Sequence, residues 1–109
     1  MRRGEIWTAS GSGYAGKPRP AVILQDEEAF GETESITLCG FTTESAGAPM
    51  IRLLVEPSSG NGLRETSFLM VDKILTVPRT KLGRRVGQLD PDDLERVNEA
   101  VILFLGLAS

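Results

Sequence analysis

The sequence predicts a single small α+β domain in which an antiparallel sheet curls into a barrel and packs against a C-terminal helix. Short apolar segments rich in β-branched residues alternate with turns rich in glycine and proline, a pattern typical of antiparallel strands. The last segment instead spaces its apolar residues as a helix does. The length of 109 residues, without an internal repeat, a linker or a low-complexity tract, predicts one domain over residues 1–109.

The predicted strands are the apolar segments at residues 5–9, 20–24, 36–41, 50–55, 68–71, 74–77 and 82–86. A glycine-rich loop at residues 10–16 separates the first two strands. The acidic stretch 26–28 predicts a polar turn, and residues 57–62, Pro-Ser-Ser-Gly-Asn-Gly, are a strong turn signal.

The C-terminal segment has the signals of a capped helix. Asp90 is suited to be the N-cap, Pro91 the first helical residue, and Asp92 and Asp93 the positive end of the helix dipole. One helical face carries the apolar residues Leu94, Val97, Val101, Phe104 and Leu105. Gly106 is predicted to end the helix.

The composition excludes several classes of catalytic site. There is no histidine, so a Ser-His-Asp triad, a His-paired ribonuclease site and the common zinc sites are absent. The single cysteine, Cys39, is expected to pack as a small hydrophobic residue. No apolar run is long enough for a membrane helix, and the N-terminus lacks the apolar stretch of a signal peptide, so a cytoplasmic protein without membrane contact is expected.

Positive charge is concentrated in one segment although the net charge is −3. Residues 73–85 contain basic side chains and no acidic one. These basic residues are Lys73, Arg79, Lys81, Arg84 and Arg85. A locally basic face on an acidic protein is compatible with nucleic-acid contact, and it is equally compatible with a solvated charged ribbon.

An arginine between two prolines precedes the second predicted strand. Pro18 and Pro20 fix their own φ and restrict the residues before them, so Lys17 and Arg19 have little backbone freedom. A guanidinium on such a backbone can receive a phosphate because its donors form a rigid fork. Alternatively, the prolines only protect a sheet edge and Arg19 is solvated.

A pair of threonines ends the third predicted strand. Thr42 and Thr43 point to opposite faces of that strand, so only one of them can share a face with Arg19. Beside Arg19 on a neighbouring strand, its hydroxyl could hydrogen-bond a phosphate oxygen that the guanidinium also holds. Threonine is also favoured in strands without any function.

The order of these segments resembles that of the MazF/PemK family of toxin endoribonucleases. The matching segments are Arg3-Gly4-Glu5-Ile6-Trp7, Arg19-Pro20-Ala21-Val22, Thr42-Thr43-Glu44-Ser45, Gly62-Leu63 with Ser67 and Asp72-Lys73-Ile74, and Gly83 before the terminal helix. The resemblance covers nearly the whole chain. Two differences concern recognition: the first loop has no acidic residue, and Lys73 stands where the family usually has glutamine.

The resemblance implies an SH3-like β-barrel with a C-terminal helix, forming a homodimer. It implies metal-independent cleavage of single-stranded RNA (mRNA, tRNA or rRNA) without a cofactor, and inhibition by a cognate antitoxin. Carried over by position, Arg19 is the principal catalytic residue and Thr42 its hydroxyl partner. Cleavage by the RNA's own 2′-hydroxyl would leave a 2′,3′-cyclic phosphate and a 5′-hydroxyl.

Further residues are candidates for RNA contacts. Those expected to contact the RNA backbone or neighbouring groups are Lys17, Thr43, Ser67, Lys73 and Arg79. Tyr14 or Phe41 could stack on a base, although Phe41 also suits the core. No residue is identified as the base that accepts the 2′-hydroxyl proton.

Two other functions remain open at this stage. One is a CcdB-like toxin that poisons DNA gyrase on a similar barrel, with the terminal helix as its contact surface. That helix ends in residues 104–109, Phe-Leu-Gly-Leu-Ala-Ser, and is expected to lack an exposed aromatic or charged tip suited to such binding. The other is a barrel-type binding module in which the proximity of Arg19 and Thr42 is incidental.

Overall fold

The structure is a computed structural model that describes residues 1–10, 17–45 and 47–108. Its strands are β1 Glu5–Ala9, β2 Arg19–Ile23, β3 Ser35–Thr42, β4 Arg52–Val55, β5 Ser67–Pro78 and β6 Leu82–Gln88. Its α-helices are α1 Glu27–Phe30 and α2 Pro91–Leu105, and a 3₁₀ helix, Arg79–Lys81, joins β5 to β6. Most of the predicted 10–16 loop, including Tyr14, lies outside the described residues.

The strands form one antiparallel sheet in the order β4-β5-β3-β2-β1-β6. The predicted mainly β class with a C-terminal helix is confirmed. Closure into a barrel is not: within the described residues β4 and β6 are edges of the sheet and do not pair with each other. None of the described helices has the length and apolar content needed to cross a membrane.

Each face of the sheet has its own apolar core. The larger core lies between the sheet and α2, and its buried residues are Ile6, Val22, Cys39, Leu53, Val55, Leu69, Val71, Leu89, Val97 and Ala100. The smaller core consists of Ala9, Ala21, Ile23, Ile36 and Leu38. Cys39 is fully buried, as predicted, and burial raises the pKa of its thiol to about 12. This thiol is therefore a packing group.

The C-terminal helix begins and ends where the sequence predicts. Pro91 is its first residue, and Gly106 ends it in the left-handed conformation at φ 67°. The Asp90 carboxylate does not cap the helix amides; it accepts a hydrogen bond from the Ser58 hydroxyl at 3.4 Å. The predicted apolar face is only partly buried, because Phe104 is 44% and Leu105 52% exposed. The expectation that the helix end lacks an exposed aromatic side chain is therefore wrong.

Two local predictions differ from the structure. The acidic stretch 26–28 is the start of α1, and the Asp26 carboxylate caps it by accepting the amides of Glu28 and Ala29. Segments 68–71 and 74–77 are one strand, β5, because its backbone pairing passes through a register shift instead of ending there. The extra residues of that irregularity include Lys73.

Two ion pairs connect segments that are distant from each other in the sequence. Arg79 makes a two-pronged contact with Glu27, at 2.5 and 2.9 Å, which ties α1 to the end of β5. Arg52 of β4 holds Asp72 of β5 in the same way, at 2.6 and 3.0 Å. Hydrogen bonds from these guanidiniums lower the pKa of both carboxyl groups.

We expect the Glu27–Arg79 pair to make folding stability sensitive to acid. The pKa of Glu27 is lower in the folded chain than its ordinary value of 4.5. The contribution of ionised Glu27 to the free energy of unfolding is therefore fully present above pH 4.5. It is lost as the pH falls through the lowered pKa of the folded state. Urea unfolding at a series of acidic pH values should show a smaller loss of stability in Glu27→Gln than in the parent. Glu99→Gln, an exposed site on α2, is the control and should retain the parent's acid sensitivity.

Candidate active-site cleft

An open cleft of about 710 Å³ lies where β2 begins, β3 ends, and the segment after β4 approaches β6. It is lined by Thr8, Pro18, Arg19, Pro20, Phe41, Thr42, Thr43, Glu44, Gly62, Leu63, Arg64, Glu65, Ser67, Met70, Arg84 and Val86. The apolar members of this set lie beside charged and hydroxyl groups. A cleft with that lining suits a ligand that carries both charge and flat apolar surface.

Arg19 is the first residue of β2, and its side chain is exposed on the cleft. The β1–β2 pairing sets Ala9 opposite Arg19 and Thr8 opposite Pro20. Pro20 has no amide proton to donate to the neighbouring strand. Its position near the start of β2 is one where a sheet accommodates proline. No carboxylate of the described chain forms an ion pair with Arg19. Its guanidinium is therefore available to an anion from solvent.

Thr42 ends β3 on the same cleft. The β2–β3 pairing ends with Ala21 opposite Gly40, and continuing the same register by two residues would put Arg19 opposite Thr42. On that continued register Thr42 shares a face with Arg19, and Thr43 lines the same cleft. Its Oγ1 accepts the amide of Glu44 at 3.2 Å, which leaves the hydroxyl proton free to be donated.

The other predicted RNA contacts are divided by the structure. Thr43 and Ser67 line the cleft; Ser67 is 6% exposed and its hydroxyl donates to the carbonyl oxygen of Glu65. Lys17 and Lys73 are exposed and are not part of the lining. Their roles remain predictions.

Arg79 is already engaged by protein groups. Besides Glu27, its guanidinium contacts the carbonyl oxygens of Phe30 and Thr33. It does not line the cleft, and its predicted RNA contact would require these bonds to be exchanged. Phe41 both lines the cleft and packs against the larger core, whereas Tyr14 lies outside the described residues.

Four charged residues of the cleft are not among the predicted site residues. Arg64 and Glu65 come from the segment after β4, Glu44 follows β3, and Arg84 lies on β6. Arg84 belongs to the basic segment 73–85, and Arg64 directly follows the Gly62-Leu63 motif. The basic segment and the Gly62-Leu63 motif are therefore the only sequence features that point to these arginines. Neither feature shows which side chains lie together in the folded chain.

The segment between β4 and β5 is held in shape by Asn61, which is completely buried. Its Oδ1 accepts the amides of Ser58 and Leu63, at 3.0 and 2.9 Å, and its Nδ2 donates to the carbonyl oxygen of Glu56 at 2.8 Å. Gly62 follows at φ 69°, where a Cβ would overlap the backbone oxygen of Val86. This turn therefore fixes the wall of the cleft that carries the residues after Gly62.

The cleft does not contain a preformed group of metal ligands. Over residues 1–10, 17–45 and 47–108, no three cysteine, aspartate or glutamate side chains are grouped so as to hold a metal ion. The polar groups of the cleft are guanidiniums, hydroxyls and the two carboxylates of Glu44 and Glu65.

Comparison of the chain with known protein families gives one match across almost its whole length. The family described as PemK-like, MazF-like toxin of type II toxin-antitoxin system matches residues 2–105. The chain is 48% identical over 109 residues to a probable endoribonuclease MazF of Mycolicibacterium smegmatis (strain ATCC 700084 / mc(2)155), and the alignment covers 99% of each chain.

Solved structures with the same fold have related names. The chain is similar to the Mycobacterium tuberculosis toxin MazF-mt6, with a TM-score of 0.81, 27% identity, and coverage of 96% of this chain and 99% of that one. It also matches an endoribonuclease in complex with its cognate antitoxin from a mycobacterial species, with a TM-score of 0.80 and coverage of 100% and 98%. At 23% identity this second likeness shows the fold alone.

Proposed function

Because this chain belongs to the family of PemK-like, MazF-like toxins of type II toxin–antitoxin systems, we propose that it is the endoribonuclease of such a system. Its substrate is single-stranded RNA, and the scissile phosphate binds between Arg19 and Thr42. The relative at 48% identity is itself named a probable endoribonuclease.

The observation that carries this proposal is that Arg19, at the start of β2, and Thr42, at the end of the neighbouring strand β3, line one cleft. The Arg19 guanidinium can donate two parallel hydrogen bonds to a phosphate. The Thr42 hydroxyl can donate a third, and its oxygen already accepts a hydrogen bond from the Glu44 amide. These two donors belong to neighbouring strands and line the same cleft, where one phosphate could accept from both. Preorganised donors of this kind stabilise the charge that develops during phosphoryl transfer.

In the proposed reaction the RNA supplies its own nucleophile. The 2′-oxygen forms a bond to the adjacent phosphorus, the bond from phosphorus to the 5′-oxygen of the next nucleotide breaks, and a 2′,3′-cyclic phosphate results. The 2′-hydroxyl proton passes to water or to a cleft carboxylate, Glu44 or Glu65, and a water molecule gives the leaving 5′-oxygen its proton. Arg19 and Thr42 stabilise the phosphoryl oxygens, so the step needs neither a metal ion nor a cofactor.

The proposed partners follow from the same family. One mycobacterial structure with this fold is a complex with its cognate antitoxin, and we infer that an antitoxin protein covers the cleft of this chain in the cytoplasm. A homodimer is supported by the apolar residues that α2 and the segment after it leave exposed. These are Ile102, Leu103, Phe104, Leu105 and Leu107.

The gyrase-poison alternative receives no support from the relatives, which are named as endoribonucleases or MazF toxins. The alternative of a binding module without catalysis does not explain why the Arg19 guanidinium and the Thr42 hydroxyl line the same cleft.

The proposed function is tested by incubating the purified protein with total RNA and mapping the new ends. We expect discrete cuts with 5′-hydroxyl ends that are unchanged by EDTA. In a synthetic RNA that contains one mapped site, deoxyribose on the 5′ side of the cut should prevent cleavage because the nucleophile is missing. An untouched RNA pool would refute the nuclease assignment, and cleavage of the deoxyribose substrate would refute the cyclising route.

A further inference from the structure

A β-bulge places Arg84 on the cleft. In the β1–β6 pairing Trp7 is opposite Arg85 and Ala9 is opposite Leu82. The single residue Thr8 therefore faces two residues of β6, Gly83 and Arg84. Bulges of this kind bend a strand and redirect a side chain, and they occur preferentially beside functional sites.

The bulge is held in place by specific contacts. The Arg84 amide donates to Thr8 Oγ1 at 3.0 Å. Any Cβ at Gly83 would overlap that same oxygen, so glycine is what allows β6 to come this close to β1. The Arg84 side chain is exposed on the cleft beside Thr8, on a backbone whose position is fixed.

Arg64 lies in the segment that connects β4, the other edge strand of the sheet, to β5, and it lines the cleft from that side. Its backbone follows the turn that the buried Asn61 holds, and its side chain is exposed. Neither Arg64 nor Arg84 forms an ion pair with a carboxylate of the described chain. Two unneutralised guanidiniums on constrained backbones thus share one cleft with Arg19.

The local charge favours an anion. The cleft lining contains Arg19, Arg64 and Arg84 against Glu44 and Glu65, so it carries a net positive charge on a protein whose net charge is −3. Long-range attraction of a polyanion to the whole protein is therefore weak. The affinity for RNA must come from short-range contacts inside the cleft.

We propose that Arg64 and Arg84 bind a second phosphate of the RNA, adjacent to the scissile phosphate that Arg19 contacts. This inference rests on the proposed function for the identity of the polyanion. Strands β2 and β6 are separated by β1, so two strand spacings, about 10 Å along the sheet, lie between the backbones that carry Arg19 and Arg84. The long arginine side chains on backbones at that separation can reach two different phosphates, so the second contact adds to the binding affinity for RNA without touching the reacting bond.

The test is the affinity of Arg64→Ala/Arg84→Ala for a single-stranded DNA oligonucleotide of mixed sequence, which has the phosphates but no 2′-hydroxyl to react. We expect the Kd to rise by about tenfold or more, and the slope of log affinity against log salt concentration to shrink by about 0.7, because the two arginines together bind one phosphate. With cleavable RNA the KM should rise while kcat stays unchanged, because the variant retains the groups that contact the reacting phosphate.

The control is Arg2→Ala/Lys81→Ala, which removes the same charge from exposed sites outside the cleft and should bind as the parent does. Arg64→Lys/Arg84→Lys should recover part of the affinity because it restores charge without the fork. Unchanged Kd and salt slope in the alanine variant would overturn the proposal. A fall in kcat at saturating RNA would also overturn it, since the arginines would then act on the scissile phosphate. If the parent fails to cleave RNA, the proposed function fails while the DNA-binding comparison still decides this inference.

Discussion

Arg19→Ala is expected to reduce the rate of RNA cleavage by about 10³-fold or more while the protein remains folded. The side chain is exposed, lines the cleft and makes no ion pair within the described chain, so its removal leaves no buried group without a partner. What is lost is the charge that stabilises the phosphoryl oxygens in the transition state. Single-turnover cleavage of a synthetic RNA measures this loss, and the urea unfolding midpoint verifies the fold.

Conservative variants distinguish a specific catalytic role of the Arg19 guanidinium from an effect of its positive charge alone. Arg19→Lys keeps the charge but loses the fork, and it should remain well below the parent in rate. Thr42→Val should slow the reaction, whereas Thr43→Val should do so less, because the β2–β3 register, continued beyond its last pair of Ala21 and Gly40, would put Thr42 and not Thr43 opposite Arg19. An Arg19→Ala protein that cleaves at the parent's rate would remove Arg19 from the mechanism. Equal effects of the two threonine variants would remove Thr42 from its assigned position.

The sequence was most informative where a local signal and the long-range structure agree. The limits of α2 were predictable because Pro91 and Gly106 have few alternatives at a helix start and a helix end. The strand Glu5–Ala9 was also predictable from its apolar residues. In contrast, barrel closure depends on pairing between the first and last strands of the sheet. No short segment encodes that pairing, and in the part of the chain that the structure describes β4 and β6 do not pair with each other.

The cleft shows the same division. Arg19 could be identified from its two flanking prolines, and the resemblance to a family supplied Thr42. Arg84 could not be distinguished from Arg85 by its neighbours, because a bulge opposite Thr8 decides which of them lines the cleft. Arg85 instead pairs with Glu5 at 3.3 Å. The predicted contact Arg79 has its guanidinium bound to Glu27, a partner distant in sequence that local pattern does not reveal.

Asn61→Ala should have the largest effect on stability of any single change in the cleft wall. The substitution leaves the amides of Ser58 and Leu63 and the carbonyl of Glu56 without their side-chain partner, at a site with no exposure. We expect a loss of about 3 kcal/mol, since each buried group left unsatisfied costs about 1–3 kcal/mol and water can reach part of the opened turn. That is a large share of the roughly 5–15 kcal/mol by which a domain of this size is stable. Urea unfolding at neutral pH measures it.

Asn98→Ala is the matched control, because it removes the same side chain from an exposed position on α2 and should change the unfolding free energy by less than about 0.5 kcal/mol. Asn61→Asp should lie between the two, since a carboxylate can still accept the amides of Ser58 and Leu63 but cannot donate to Glu56. The loss in Asn61→Ala should extend to RNA affinity under conditions where the variant is folded, because the turn carries Arg64 into the cleft. Equal unfolding midpoints for Asn61→Ala and Asn98→Ala would mean that this wall of the cleft is held by its glycines and by packing, and not by the buried amide.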